Sequence, residues 1–225
     1  MPFSSVQSAR SGETRNVNVG SWDLPGFLCV PPRASGLVIF AHGSGSSRFS
    51  ARNQKVAGAL NNAGMATLLF DLLRPKEEAE HGRAKVFDIS FLEERLTDAV
   101  EWADAAFAGE VMPIGLFGAS TGAAAALATA AELGDRISAV VSRGGRPDLA
   151  WPVLQKVRAP SLLIVGGSDH EVLELNRKAL GRIQGIASLE IVPEATHLFA
   201  EPGAMEQVTI LARDWFERYL TRSPT

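Results

Sequence analysis

Ser120 lies in Gly118-Ala119-Ser120-Thr121-Gly122, a G-x-S-x-G run with the apolar stretch Met112–Phe117 before it and Ala123–Ala126 after it. A serine hydroxyl becomes a nucleophile only when a base takes its proton and a third group orients that base. The plainer use of such a serine is to cap the helix that follows. Context separates the two. An apolar strand leads in, glycine stands two positions to either side of the serine, and small residues follow. That is the local pattern of a turn so tight that neighbouring side chains have no room, continued by a helix lying close on a sheet. Ser120 is therefore read as the candidate nucleophile.

In nucleophile turns of this kind the acid and then the histidine follow the serine along the chain. Asp169 comes just after the apolar run Ser161–Val165, and His197 falls in Ala195-Thr196-His197-Leu198-Phe199, after the run Ser188–Val192. Both positions are loops after strands, where open α/β sheets carry their chemistry. Asp169 could instead be the N-cap of the next helix, with Glu171 as the substitute acid, and His197 could be a hydrogen-bonded core residue. The other histidines fit less well: His81 lies in a charged segment, His170 adjoins the acid, and His42 belongs to another part of the site.

That part is the stretch Ala41-His42-Gly43-Ser44-Gly45-Ser46-Ser47-Arg48. An oxyanion needs two N–H donors. The backbone of Thr121, directly after the nucleophile, supplies one; Ser44, with Gly45 as the second choice, supplies the other. As a phosphate cradle the same loop fails both glycine-rich templates: it has no P-loop lysine, and Arg48 stands where G-x-G-x-x-G needs its last glycine. Arg48, Arg143 and Arg146 are candidates for bidentate binding of a substrate carboxylate, with pairing to nearby acids such as Asp148 as the bland alternative. Asp71, at the edge of the same site, is read as ordering a loop.

The elements that must position these residues alternate in type. Strands are expected at Gly36–Gly43, Ala66–Leu73, Val111–Phe117, Ile137–Val141, Ser161–Val165 and Ser188–Val192. Helices are expected at Arg52–Gly64, Ile89–Phe107, Thr121–Leu133, Leu173–Ile183 and Ala204–Tyr219. Arg74–Lys85 shows no periodicity and is read as a solvated loop, and Trp151 as a packed aromatic, with a partial cover over the site as the alternative for both. Arg15–Val19 and Gly26–Val30 suit an antiparallel hairpin at one sheet edge. The pattern implies a mostly parallel sheet flanked by helices on both faces, without a large lid. It is read as one domain over residues 1–225, with 1–35 as the edge hairpin and 36–222 as the core series.

Composition sets the remaining bounds. The chain has 225 residues, 46% of them hydrophobic, and a net charge of −3, so no basic field attracts nucleic acid or an anionic membrane. One cysteine, Cys29, allows no internal disulfide and suits a reducing compartment. No stretch has the apolar length of a signal core or a membrane span. No metal-ligand spacing occurs. The expectation is a cytoplasmic protein, monomer or homodimer, with no cofactor or metal, acting on a small-molecule ester.

In sequence order, AHGSGSS, GASTG, GGSDH and ATHLF together resemble the α/β-hydrolase superfamily, and within it the small dienelactone-hydrolase-like branch, over nearly the whole chain. The stretches HGSGSSR, GASTGAAAAL and SRGGRPDL are similar to those of a narrower group of bacterial hydrolases. The resemblance implies a Ser120–Asp169–His197 triad and hydrolysis of an ester-like bond, in a branch known for promiscuity toward aryl esters, thioesters and phosphotriesters. One departure is visible. Dienelactone hydrolases use a cysteine nucleophile and a glutamate in the loop that here reads His42-Gly43-Ser44. This chain has serine at 120 and no acid in Val38–Ser50, so a serine esterase is expected rather than a dienelactone hydrolase proper.

Overall fold

The computed structural model describes residues 12–108 and 112–221, except for the side chains of residues 81–83. The strands are β1 (Thr14–Val19), β2 (Leu24–Cys29), β3 (Leu37–Ala41), β4 (Ala66–Phe70), β5 (Ile114–Ala119), β6 (Ile137–Arg143), β7 (Ser161–Gly166) and β8 (Ala187–Val192). The helices are α1 (Ala51–Asn62), α2 (Pro75–Lys85), α3 (Ile89–Ala106), α4 (Thr121–Leu133), α5 (His170–Leu180) and α6 (Ala204–Tyr219). Residues 1–11, 109–111 and 222–225, which the expected domain and strand boundaries include, lie outside the described residues.

The strands form one sheet in the order β1-β2-β4-β3-β5-β6-β7-β8, with β3 to β8 parallel and the β1–β2 hairpin antiparallel at the edge beside β4. Every residue of β3, β4, β5 and β7 is buried. Such runs cannot alternate inside and outside, because helices cover both faces. On one face, Leu92, Leu96 and Val100 of α3, Ala124–Ala128 of α4 and Ala179 of α5 pack on Ile39, Leu68 and Leu116. On the other, Val56 and Leu60 of α1 and Val208, Ala212 and Phe216 of α6 pack on Phe40, Phe117, Val141 and Ile164. This is the α/β-hydrolase fold, with no large lid among the described residues.

The strand order also fixes where a ligand can bind. From β3 the chain crosses to β4 on one side, then returns over the sheet to β5 on the other. The loops leaving β3 and β5 therefore diverge and open a crevice at the carboxyl ends of those two strands. The Ser44 loop follows β3 and Ser120 follows β5.

Several expected boundaries shift by two or three residues, as where β4 ends at Phe70, β5 runs Ile114–Ala119 and α5 runs His170–Leu180, and two differences bear on the surroundings of the site. Arg74–Lys85 is not a loop: Pro75–Lys85 forms α2. Its stabilisation is polar, which is why no apolar period marks it. Pro75 opens the helix, and Glu77 and Glu78 face its positive end. Glu77 Oε2 also accepts the Arg74 N–H at 2.9 Å. The other oxygen of Glu77 binds Arg95 of α3 at 2.8 Å and Arg74 at 3.0 Å. Arg95 is only 2% exposed and stacks on Trp22 and Phe91, at 3.9 and 4.7 Å from their ring centres. The second difference is the length of β6, which continues past Val141 to Arg143. There Arg143 pairs with Ala119 of β5 and Ile164 of β7, so strand pairing outweighs the polar character of Ser142 and Arg143.

The Glu77–Arg95 pair gives a stability prediction. Glu77→Ala leaves the Arg95 guanidinium buried without its carboxylate and should cost about 3 kcal/mol in chemical denaturation. Adding Arg95→Met should recover most of that loss; a double variant as unstable as the single one would contradict the assignment.

Candidate active site

Ser120 takes a left-handed backbone, φ 53° and ψ −116°, a conformation that costs a non-glycine residue about 1–3 kcal/mol. Its flanking glycines have no spare space. A Cβ on Gly118 would lie 2.3 Å from Ala123 Cα, and one on Gly122 would lie 2.2 Å from the Ala41 carbonyl oxygen. Two hydrogen bonds to the end of β6 fix the turn: Ser120 N–H donates to Arg143 O at 3.1 Å, and Arg146 N–H donates to Ser120 O at 3.2 Å. The Ser120 side chain makes no cap bond to α4, which removes the capping role as the reason for a serine here.

His197 Nε2 lies 3.3 Å from Ser120 Oγ, and His197 Nδ1 lies 2.7 Å from Asp169 Oδ2. An ionised carboxylate only accepts, so Nδ1 carries the proton and the lone pair of Nε2 faces the serine hydroxyl. Asp169 does stand at the N-cap of α5, yet its carboxylate caps nothing and points to the histidine. Glu171, the alternative acid, is exposed. Asp169 and Ser120 are partly covered and His197 is 39% exposed, so the hydroxyl is reachable from solvent. The three side chains come from the ends of β5, β7 and β8, far apart in sequence.

Next to them, Gly43 touches the nucleophile turn: a Cβ there would sit 3.0 Å from Ala119 O and 3.2 Å from Ser120 Cβ. Ser46 N–H closes a turn onto Gly43 O at 3.2 Å, with Gly45 at φ 67°. Ser44 N–H has no acceptor among the described residues. Thr121 N–H stands at the first position of α4, where no carbonyl of the helix can accept it. Neither of the donors expected for an oxyanion has a helical or turn partner among the described residues.

Buried His42 holds the base of this loop. Its Nδ1 donates to Gly43 O at 3.0 Å and its Nε2 accepts the Leu72 N–H at 3.0 Å, an arrangement that only the neutral ring provides. Burial pushes its pKa below the usual histidine value, partly opposed by the Gly43 carbonyl and the charges of Asp71 and Glu78. Asp71 ties down the far end of the loop. It accepts Arg48 N–H at 2.7 Å and forms an ion pair with the Arg48 side chain, which lies over Phe49 and Phe27.

The three arginines expected to bind substrate therefore have different surroundings. Arg48 is engaged by Asp71. Arg146 is engaged by Asp148 through two parallel bonds of 2.8 Å. Each guanidinium already has an acid partner. Arg143 has no acid partner among the described residues, and burial, together with the like charge of Arg52, pushes its pKa down to about 10. Arg52, in the first turn of α1, escaped the sequence reading. The available signal was a cation at a helix start with no acid in that turn, a placement the helix dipole disfavours.

Fold and site together define an α/β-hydrolase. The family profile described as the dienelactone hydrolase family matches residues 24–220, and the chain belongs to that family. The chain is 54% identical over 208 residues to two Mycobacterium tuberculosis proteins provisionally named phosphoribosyl transferases. The match covers 92% of this chain and 46% of theirs, so the chain spans about half the length of these curated relatives. Among solved structures it resembles a dienelactone hydrolase from Anabaena variabilis, with 48% identity, coverage of 95% of this chain and 100% of that one, and a TM-score of 0.89. It also shares its fold with the esterase domain of a Rhodothermus marinus protein at 19% identity, with coverage of 92% and 98% and a TM-score of 0.71.

The lowered pKa of His42 makes a pH prediction. The folded state favours the neutral ring, so this contribution is complete above the unfolded value of about 6.5 and is lost as pH falls below it. Thermal unfolding of the wild type should lose stability between about pH 7 and pH 5 more steeply than that of His42→Gln. Equal slopes would show that residue 42 does not carry the dependence.

Proposed function

We propose that the protein is a serine hydrolase that cleaves carboxylic esters, small or aryl, through an acyl-enzyme on Ser120. The observation that carries this reading is the continuous line from the Asp169 carboxylate through His197 to the Ser120 hydroxyl, ending where α4 begins. Membership of a hydrolase family supports the reaction class.

In the proposed cycle His197 Nε2 takes the Ser120 proton as Oγ bonds to the carbonyl carbon. Asp169 holds the Nδ1–H tautomer and stabilises the imidazolium. The carbonyl oxygen, now negative, takes hydrogen bonds from Thr121 N–H and Ser44 N–H, each worth about 3–4 kcal/mol in comparable sites. The carbon–oxygen bond to the alcohol then breaks, and the alcohol leaves with the proton held by His197. Water repeats the sequence on the acyl-enzyme and releases the acid. Every step uses protein groups and water.

Lactones, thioesters and phosphotriesters present a similar electrophile and are secondary candidates for the same triad. Dienelactone is less favoured, because residue 120 is serine and the loop carrying Ser44 has no acid. The phosphoribosyl transfer in the relatives' name calls for phosphate recognition. The glycine loop does not fit that role, since it lacks a P-loop lysine and its Arg48 is tied to Asp71. We assign that name to the part of those proteins beyond this chain.

Ser120→Ala and His197→Ala should each lower kcat on a p-nitrophenyl ester series by roughly 10⁴–10⁶. A fluorophosphonate probe should label Ser120, located by peptide mapping. Full activity in either variant, or a label elsewhere, defeats the triad; a protein that takes no label and turns over no ester is an idle ligand-binding relative.

A further inference from the structure

The sheet has two edges, and they differ in character. At one, β1 exposes Arg15, Asn16 and Asn18, polar side chains that disfavour pairing with a further strand. At the other, β8 is bonded to β7 alone among the described residues. From Ile186 to Val192 the chain reads Ile-Ala-Ser-Leu-Glu-Ile-Val, with no lysine, proline or glycine, and Ile186 and Ile191 are 61% and 42% exposed. Ser161 N–H of β7 donates to Ile186 O, and Gly167 N–H donates to Val192 O, both at 2.8 Å. Backbone direction alternates along a strand, so Ala187, Leu189 and Ile191 turn their N–H and C=O groups away from β7. Such an edge is a template for another strand.

The strand that fits this edge is β8 itself. A twofold axis normal to the sheet, through Leu189, sets two copies of β8 antiparallel. Leu189 then faces Leu189 of the second copy and Ala187 faces its Ile191, so every outward-directed residue meets another. Leu189 packs with Val165, Val172 and Leu173, which puts this apolar row on the α5 side of the sheet. On the other side Ser188 meets Glu190 of the second copy, a hydroxyl beside a carboxylate. Sliding the strands two residues one way opposes the two Glu190 side chains. Sliding them the other way sets Ile186 against Glu190 and Ile191 against Gly185. The register about Leu189 avoids both mismatches.

The neighbouring helices match as well. α5 joins β7 to β8 and packs on both. Two copies of α5 would therefore stand two strand spacings apart, about 9–10 Å, which is the distance at which helices pack. They run antiparallel about the axis. Glu171 lies in the first turn of α5, and Arg177 and Lys178 lie in its last. The acidic end of each helix thus lies alongside the basic end of the other, which is favourable for both charges and dipoles.

We propose that the β8 edge, with α5 beside it, binds a second copy of this chain and joins the two eight-stranded sheets into one. The inference does not depend on the hydrolase reading. Pairing turns β8, the strand that precedes the His197 loop, from an edge strand into an interior one.

Sedimentation equilibrium of the wild type should give a dimer with a dissociation constant of about 10 μM or lower. Ala187→Pro removes an outward N–H that β7 does not use, and it should raise that constant about tenfold or more. Ile191→Lys, at an exposed position, should do the same, and it decides alone should Ala187→Pro fail to fold. The Ser188→Cys/Glu190→Cys double variant should oxidise to a covalent dimer, because these positions face each other closely across the axis. A wild type still monomeric at about 100 μM overturns the proposal, as does a dimer that withstands Ile191→Lys. Cross-linking by Ser188→Cys alone overturns the register. In hydrogen exchange the Leu189 amide should be protected in the dimer and exchange faster in Ile191→Lys. Protection of that amide in a monomer means that another segment of the chain covers β8, and overturns the second copy as its occupant.

Discussion

The site depends on one steric constraint, the left-handed backbone of Ser120 at the junction of β5 and α4. That conformation throws the hydroxyl out of the turn and brings Thr121 N–H to the same rim, but it needs neighbours that take no space. Gly118 and Gly122 meet this demand by letting Ala123 and the Ala41 carbonyl approach to distances that a Cβ could not tolerate. Ala124–Ala128 then allow α4 to lie against the sheet. The cost of the strained residue is offset by hydrogen bonds at both of its ends to the segment leaving β6. The turn at Ser120, the loop at Gly43 and the β6 terminus are therefore one mechanical unit.

Around this unit the charges are sorted. His42 stays neutral because burial and its two hydrogen bonds both favour the uncharged ring. Arg48 and Arg146 are engaged by Asp71 and Asp148, so they order loops and leave their own surroundings close to neutral. The positive end of α4 points at the hydroxyl. Arg143 is the exception, a buried cation with no carboxylate in ion-pair distance among the described residues.

Within its family the chain keeps the shared scaffold and carries serine at the turn between β5 and α4. Its fold follows that of the Anabaena variabilis dienelactone hydrolase almost throughout. The crevice lies where the β3 and β5 connections diverge, a place set by strand order and independent of which nucleophile occupies the turn. Serine at 120 needs its proton removed by a base, whereas the lower pKa of a cysteine thiol gives it appreciable thiolate unaided. The short bond from Asp169 to His197 bears directly on that need.

The sequence by itself determined the alternation of strands and helices, the sharp turn at Ser120 and the order serine, acid, histidine, because glycine spacing and apolar runs record local backbone demands. It left α2 unseen, since Pro75–Lys85 is held by Glu77 and its ion pairs and has no apolar stripe to show in the pattern. It ended β6 too early, because the place of Arg143 in that strand depends on Ala119 and Ile164 on either side. The Arg146–Asp148 pair is local enough to read from the chain, but tertiary structure alone decided that Asp71, distant in sequence, engages Arg48, and that Arg143 is buried without an acid beside it among the described residues. Local sterics are written in short stretches of chain, whereas the balance of charge at a site belongs to whichever residues the fold brings within a few ångströms.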